Sequence, residues 1–191
     1  MVDIQEEEIL EQEPLDENSW LRRILQITAV ITLAVLLNVF VCRVVIINGD
    51  SMYPTLDHRD AAVIRLLAYQ PGQGDIVVCK VTEEGNLAGQ YVVKRCIALG
   101  GQTVMIDYDL DAVWVDGVKL DEPYINLDEK DPLDAGGRDN SLYLVPQGHI
   151  FVLGDNRNYS ADSRSDTVGM IPVEKVLGGV MFRIPLGIWL D

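Results

Sequence analysis

The longest apolar stretch of the chain lies near its N-terminus. The 19 residues of Ile24–Cys42 include no charged side chain. A helix of that length spans about 28 Å at 1.5 Å per residue, close to the roughly 30 Å hydrocarbon core of a bilayer. A buried helix in a globular core is the alternative, and the length and lack of charge favour a membrane span. We therefore predict a transmembrane anchor over residues 21–43.

The flanks of this run bear on whether the anchor is cleaved and how it is oriented. Residues 1–20 hold eight Asp or Glu and no Lys or Arg, which is typical of an acidic, solvated tail. A secretory leader has a basic N-terminal region and a small-x-small cleavage site, and neither is present here. We therefore expect an uncleaved anchor. Arg22 and Arg23 precede the run and Arg43 and Arg59 follow it, so basic charge alone does not orient the segment.

Beyond the anchor the pattern changes to short β-branched runs separated by Gly, Pro, Asn and Asp. Such punctuated runs predict β-strands. We expect strands at Val44–Ile47, Ala61–Leu67, Asp75–Val81, Tyr91–Leu99, Ile150–Leu153 and Val176–Ile184.

The remaining segments complete a mainly β fold class. Val113–Leu120 predicts a hairpin, because Asp116-Gly117 between two short apolar runs favours a type I′ turn. No long segment after residue 43 has helical periodicity. We predict a β-barrel or sandwich over residues 44–191. Within it we expect a surface-loop and hairpin insertion around 104–146, which includes the polar loop Asn126–Ser141.

Composition narrows the possible chemistry. Hydrophobic residues make up 48% of the chain, enough for a core, and the net charge of −15 argues against nucleic acid as a partner. The three cysteines, Cys42, Cys79 and Cys96, form no C-x-x-C pair, and only His58 and His149 are available as imidazole ligands. We therefore expect no disulfide framework, no metal ion and no cofactor, with Cys79 and Cys96 as free thiols.

One lysine stands where the pattern predicts a buried strand. Lys94 has apolar residues on both sides within Tyr91–Leu99. An outward-facing lysine at a sheet edge is the ordinary interpretation. The alternative is a buried amine, whose pKa falls below the usual value of about 10.4 because burial disfavours the charged form. A neutral amine of this kind is a competent general base for a serine hydroxyl.

Candidate serines occur in two polar segments. Ser51 follows the first predicted strand in a turn that begins at Asn48-Gly49, where a serine that bonds its own backbone is the structural alternative. Ser160 and Ser163 lie in the polar cluster Gly154–Arg164, which is also compatible with a solvated loop.

A Ser-His-Asp triad is less well supported than a serine–lysine pair. His58 lies in a polar stretch seven residues after Ser51, and His149 precedes a predicted strand. Neither lies in a nucleophile-elbow motif, and no G-x-S-x-G sequence is present.

Four motifs in order carry a resemblance to a known family. They are GDSMYPTL from Gly49, GDIVVCK over Gly74–Lys80, YVVKRCIALGG over Tyr91–Gly101 and GDNRNYSADSR over Gly154–Arg164. Behind one apolar segment, these motifs resemble the type I signal peptidases, membrane-anchored Ser-Lys endopeptidases. The resemblance extends from Arg22 to Arg183.

The resemblance implies roles for the polar residues of these motifs. Ser51 would be the nucleophile and Lys94 the general base, with Ser160 bonding to the lysine amine and orienting it. The family pattern also implies two supporting ion pairs, and these are Arg95–Asp155 and Asp162–Arg164.

The resemblance also implies a substrate and a location. The substrate would be an extended signal peptide of a preprotein, with small residues at −1 and −3 against shallow pockets lined by Ile47, Leu56, Val92 and Val93. The partners would be such peptides and a lipid bilayer, and the protein would be a monomer. The chain would cross a bacterial cell membrane once, with its N-terminus in the cytoplasm and the catalytic domain outside.

Two departures from the family pattern affect the expected site. Leu99-Gly100-Gly101-Gln102 replaces the usual Leu-Pro-Gly-Asp, which loses a rigid turn and an acid. Some members carry a hydroxyl two residues before the nucleophile, where this chain has Gly49. The oxyanion would then rest on the Ser51 backbone N–H and a further main-chain amide.

Three other functions remain open from sequence. A self-cleaving repressor shares the Ser-Lys architecture but carries a DNA-binding module in place of the anchor. A signal peptidase of the endoplasmic-reticulum type has His where this chain has Lys94. An anchored β-domain for binding or adhesion would tolerate replacement of Lys94 by Ala.

Overall fold

The computed structural model describes residues 18–82, 86–125, 133 and 141–186, without the side chains of residues 38 and 39. Most of the predicted acidic tail and most of the predicted polar loop therefore lie outside the described residues. The chain divides into two compact units, residues 1–37 and residues 38–191.

Helix α1 covers Ser19–Phe40. Every residue of this helix whose side chain is described is exposed, and the helix is long and apolar enough to cross a membrane. It begins before the uncharged run and ends two residues before that run does, because Cys42 already belongs to the first strand. An apolar helix exposed on all sides needs lipid or a partner to cover it, which agrees with a membrane anchor.

Eleven strands and two short 3-10 turns follow α1 in the described residues. The strands are β1 Cys42–Ile46, β2 Ala61–Arg65, β3 Ile76–Lys80, β4 Tyr91–Leu99, β5 Thr103–Asp107, β6 Ala112–Val115, β7 Val118–Lys119, β8 Ser141–Leu144, β9 His149–Leu153, β10 Ile171–Pro172 and β11 Val176–Ile184. The 3-10 turns are Arg157–Tyr159 and Val173–Lys175.

The strands form two antiparallel sheets. A seven-stranded sheet has the order β1-β2-β11-β3-β4-β9-β10, and a four-stranded sheet has the order β7-β6-β5-β8. The second sheet comes from the segment predicted to be an insertion. The mainly β prediction is thus confirmed, with two sheets stacked on a shared core.

The core between the sheets explains why the segments fold together. Ile97, Phe151 and Leu153 of the larger sheet pack with Val104 and Ile106 of the smaller sheet, and all five are buried. Along β5, the buried Val104 and Ile106 alternate with half-buried neighbours, as a strand with one buried face requires.

Most strand predictions are confirmed, with shifts of a few residues at their ends. Asp116 and Gly117 both have positive φ, +51° and +81°, so the predicted type I′ turn is present between β6 and β7. Strands β5, β8 and β10 were not predicted. Their apolar runs are short and mixed with polar residues, and pairing with neighbours distant in sequence determines their conformation.

Candidate active site

Ser51 lies in a tight turn shortly after β1. Gly49 has a φ of +105°, where residues with a side chain are strained, although a Cβ there would meet no atom within 4 Å. Backbone conformation, not space, therefore requires the glycine. The Gly49 N–H donates to Nδ1 of His58 at 3.1 Å, and the Tyr53 N–H donates to the Asp50 carbonyl at 3.0 Å. These bonds hold the turn so that Ser51 lines a cavity.

Lys94 lies within the sheet and points inward, so the outward-facing interpretation is wrong. The residue is 4% exposed. Its Nζ lies 2.7 Å from Oγ of Ser51 and 3.1 Å from the Val93 carbonyl oxygen. Burial lowers the pKa of Lys94 from its ordinary value, although the negative charges of Asp162 and Asp155 oppose part of this effect. A lysine that loses its proton in this position can accept the proton of the Ser51 hydroxyl.

Ser160 does not make the bond to the lysine that the resemblance implies. Its Oγ is buried and has no hydrogen-bond partner in the described part of the chain. The Val93 carbonyl occupies the second hydrogen-bond position of the Lys94 amine. Ser160 packs instead against Gly154, where an added Cβ would lie 2.2 Å from the Ser160 Oγ.

The expected Arg95–Asp155 ion pair is present and is bidentate. Nε and Nη2 of Arg95 donate to the two carboxylate oxygens of Asp155 at 2.8 and 2.6 Å. Asp155 is fully buried. The third nitrogen of Arg95 donates to the Gly74 carbonyl at 2.8 Å, and the guanidinium lies 3.8 Å from the centre of the Tyr124 ring. This geometry uses the fixed fork of arginine, which lysine lacks.

Two polar residues connect this ion pair to the Ser51 turn. Thr55 Oγ1 donates to Asp155 at 2.5 Å. The Asn156 backbone N–H donates to the Ser51 carbonyl at 3.1 Å, and its side chain donates to the Asp50 carbonyl at 3.0 Å. Sequence reasoning left Asn156 without a role at the site. The sequence feature that could have indicated this role is the position of Asn156 directly after an acidic residue, in a motif rich in hydrogen-bonding side chains.

The Asp162–Arg164 ion pair is also present. Arg164 Nε donates to Oδ1 of Asp162 at 2.8 Å, and Nη2 donates to Oδ2 at 2.9 Å. Asp162 also accepts the Gly154 N–H at 3.0 Å. The pair therefore stabilises the backbone at Gly154, which lies next to the Ser51 carbonyl.

A further buried ion pair was not predicted. Arg157 and Glu122 form two side-chain bonds, one of them at 3.1 Å between Nη1 and Oε2. Arg157 also donates to the Gly154 carbonyl, and Tyr124 donates to Glu122. Glu122 follows the β6–β7 hairpin, so the second sheet supports the loop that carries Asp155. The sequence signal was an acid beside Pro and Tyr after that hairpin.

A cavity of about 390 Å³ lies at Ser51 and Lys94. Ile47, Val92 and Val93, three of the four residues predicted to bind substrate, line this cavity. Val, Ile, Leu and Met side chains form much of the wall beside the polar groups of the site, which suits small side chains of an extended peptide.

Leu56 does not line this cavity, so its assignment to the substrate pocket is wrong. It is 1% exposed and packs in a core cluster with Ile47, Met52 and Ala62. Leu56 comes one residue after Thr55 in the turn that closes behind Ser51, and the turn directs it into the core. Met52 lines the cavity instead.

Neither histidine reaches the Ser51 hydroxyl, whose hydrogen-bond partner in the described part of the chain is Lys94. Nδ1 of His149 lies 3.2 Å from the Gln147 carbonyl, and His58 bonds to the turn backbone at Gly49. The three described cysteines are free, as predicted for Cys79 and Cys96. Burial raises the pKa of both thiols to about 12.

A serine hydroxyl beside a buried amine, in a β fold preceded by an apolar helix, defines the class of serine peptidases that use a lysine in place of histidine. The family model described as signal peptidase, peptidase S26, matches residues 19–185. The chain belongs to this family, and it is a serine endopeptidase of the signal peptidase I type.

Named relatives cover most of the chain. A probable signal peptidase I-1 of Synechocystis sp. is 37% identical over 167 residues, which are 83% of this chain and 80% of the relative. Signal peptidase I S of Bacillus subtilis is 34% identical over 163 residues, with 82% and 84% covered. Signal peptidase IB of Staphylococcus aureus is 32% identical over 154 residues, with 72% and 74% covered.

Proposed function

We propose that this chain removes N-terminal signal peptides from exported preproteins, with Ser51 as nucleophile and Lys94 as general base. The observation that carries this proposal is the 2.7 Å separation of Lys94 Nζ and Ser51 Oγ, with the lysine buried. Burial favours the neutral amine that a base requires, and the short separation allows direct proton transfer.

The geometry supports a two-stage reaction. Lys94 accepts the Ser51 proton as Oγ attacks the scissile carbonyl carbon. Lys94 then donates that proton to the leaving amine, and an acyl ester remains on Ser51. A water molecule next gives a proton to Lys94 and attacks the ester carbonyl carbon. Lys94 then returns that proton to Ser51 Oγ as the ester bond breaks, which releases the product acid and restores the serine and the neutral amine.

The developing oxyanion needs hydrogen-bond donors. The Ser51 backbone N–H donates no hydrogen bond within the residues that the structure describes, so it is available to an oxyanion. Gly49 offers no hydroxyl at the position used by some family members. We assign the Ser51 N–H as one donor.

Ser160, Arg95, Asp155, Asp162 and Arg164 act in this proposal as supporting residues. The two ion pairs hold Gly154 and the Ser51 turn in place, because their buried charged groups bond to each other and Asp162 also accepts the Gly154 N–H. Ser160 packs against Gly154, which also lies beside the Ser51 carbonyl.

The substrate binds as an extended chain along the cavity. Ile47, Val92 and Val93 form its apolar wall, and we propose that they restrict positions −1 and −3 to small side chains. The enzyme acts as a monomer held by α1 in a bacterial cell membrane, with the N-terminus in the cytoplasm and the β domain outside. Anchoring keeps enzyme and preprotein in the same thin layer and raises their effective concentration.

The dyad is tested by cleavage of a preprotein by the full chain in detergent. Ser51→Ala and Lys94→Ala should each reduce kcat by about a hundredfold or more while the thermal unfolding temperature is maintained. The double variant should be little worse than either single variant, because the two residues act as one unit. Lys94→Arg should also be inactive, since a guanidinium does not lose its proton near neutral pH.

His149→Ala is the matched control and should retain activity, because His149 does not contact Ser51. Wild-type activity should fall at acid pH as Lys94 becomes protonated. A Lys94→Ala enzyme with a tenth of the wild-type rate, or a folded but inactive His149→Ala enzyme, would contradict the assignment of the base.

The orientation is tested on intact spheroplasts with an added protease. The β domain should be digested while a tag at the N-terminus is protected. Protection of the β domain with digestion of the tag would show the opposite orientation.

A further inference from the structure

The cavity at Ser51 has an unusual distribution of charge. None of its 16 lining residues is Asp or Glu, although the chain carries a net charge of −15. Two of them are basic, and these are the buried Lys94 and the exposed Arg43. Arg43 forms no ion pair or hydrogen bond with its side chain in the part of the chain that the structure describes. A free guanidinium therefore borders a groove whose lining has no acidic side chain to pair with it.

The register of β1 places Arg43 on the groove. Arg43, Val45 and Ile47 alternate along the chain, so their side chains share one face of the strand, and all three line the cavity. Arg43 and Ile47 are four residues apart, which corresponds to about 13 Å along a strand. The guanidinium thus lies well away from the reacting atoms.

The topology shows which end of the groove Arg43 occupies. Each neighbouring pair from β1 through β2, β11 and β3 to β4 is antiparallel. Four reversals make β1 and β4 run in the same direction. Arg43 and Tyr91, at the beginnings of these strands, therefore mark one end of the cavity, and Ser51 and Lys94 mark the other.

We propose that Arg43 is a specificity-determining residue, which favours signal peptides with an acidic side chain at about −5 to −7. The inference rests on the proposed function. Arg43 lies three residues after the last residue of α1, so chain connectivity keeps this end of the groove within a few residues of the proposed anchor, and the N-terminal part of the substrate would lie along this end. Ile47 is assigned to the pockets near the cleavage site, and four further residues of an extended peptide lead from there to Arg43.

The expected preference is modest because Arg43 is solvent-exposed. An exposed ion pair changes affinity by about two- to fivefold. The preference should weaken as salt screens the pair. The negative net charge of the protein repels an acidic peptide. A preference for Glu at −6 must therefore come from a nearby cation and not from the net charge.

The test uses the full chain in micelles of an uncharged detergent and three preproteins that differ only at −6, with Glu, Gln or Lys there. Wild-type kcat/KM should rank Glu above Gln above Lys by about two- to fivefold per step at low salt. Arg43→Glu should reverse the ranking. Lys175→Glu makes the same charge change at an exposed residue outside the cavity and should preserve the wild-type ranking.

The outcomes separate this inference from the function on which it rests. Equal cleavage of the three preproteins by wild type and by Arg43→Glu would overturn the role of Arg43 and leave the peptidase function intact. Reversal by Lys175→Glu as well would also overturn it, because the effect would then come from net charge. Failure of wild type to cleave any of the three would contradict the proposed function itself.

A lipid phosphate is the other anion that a residue near a membrane anchor can meet. The assay is therefore repeated in phosphatidylcholine vesicles with and without phosphatidylglycerol. The proposal requires that the ranking by peptide charge persist in both. An Arg43→Glu defect that needs the anionic lipid and is equal for all three preproteins would assign Arg43 to the lipid and overturn the proposal.

Discussion

Replacing Asp155 by Asn tests whether the buried ion pair stabilises the domain and the Ser51 turn. The Asp155 carboxylate is fully buried and accepts three hydrogen bonds, two from Arg95 and one from Thr55. Asp155→Asn keeps the shape of the side chain but removes its charge and one acceptor oxygen. The Arg95 guanidinium then stays buried without a counter-charge, and its remaining partners are one side-chain oxygen at position 155, the Gly74 carbonyl and the Tyr124 ring.

The expected loss follows from the uncompensated charge. Breaking a buried pair by removing one partner costs about 3–5 kcal/mol. For a domain of this size, each 1 kcal/mol lowers Tm by about 2–4 °C. We therefore expect Asp155→Asn to lower Tm by about 6–20 °C. Preprotein cleavage, measured at temperatures below the melting range, should also be slower. An amide with one oxygen cannot accept the bonds of Arg95 and Thr55 together, and Thr55 lies four residues after Ser51.

The assay is thermal unfolding of the full chain in detergent, monitored by circular dichroism. Glu174→Gln is the control. Oε1 of Glu174 and Nζ of Lys175 lie 3.6 Å apart, and the two side chains are 77% and 42% exposed. Loss of such a surface pair should cost about 0–1 kcal/mol. A Tm change in Asp155→Asn no larger than in the control would refute the assignment of this pair as a structural support.

Three further substitutions test other contacts. Lys94→Met should be inactive yet more stable than wild type at neutral pH. The pKa of Lys94 is lower in the folded than in the unfolded chain, so the unfolded chain binds more protons and the stability of wild type rises with pH. The difference in free energy of unfolding between Lys94→Met and wild type, measured in urea, should therefore close towards about pH 10. Gly154→Ala would place a Cβ 2.5 Å from the Ser51 carbonyl oxygen and should cost about 1–3 kcal/mol by calorimetry, with a lower kcat. Arg183→Gln removes the cation 2.6 Å from buried Asp60 and should destabilise by about 1–3 kcal/mol in the same assay.

The strands near Ser51 and Lys94 could be predicted because their own residues are enough to favour a strand. Tyr91–Leu99 and Val176–Ile184 are long β-branched or apolar runs, and both appear with the predicted bounds. The Asp116-Gly117 turn was predictable for a similar reason, since two consecutive residues with positive φ favour that dipeptide. Such features depend on neighbours in sequence and not on distant partners.

The contacts that sequence reasoning missed all depend on long-range packing. Glu122 meets Arg157 only because the second sheet returns to the loop after β9. Leu56 shares the apolar character of the groove residues, and only the path of the turn sends it into the core. Ser160 packs against Gly154, but whether its hydroxyl finds a hydrogen-bond partner depends on the side-chain rotamer, which a motif does not specify.

The register of β4 is the feature on which the dyad depends most. Lys94 and Arg95 are adjacent and point to opposite faces of the strand, yet both act on the same turn, Lys94 directly at Ser51 and Arg95 through Asp155. Lys94 is paired with Val77, and Arg95 with Leu153. A slip of one residue would exchange the amine for a guanidinium at Ser51. A guanidinium cannot lose its proton at neutral pH, so the proposed chemistry at Ser51 requires this register, and the Arg95–Asp155 pair helps to enforce it.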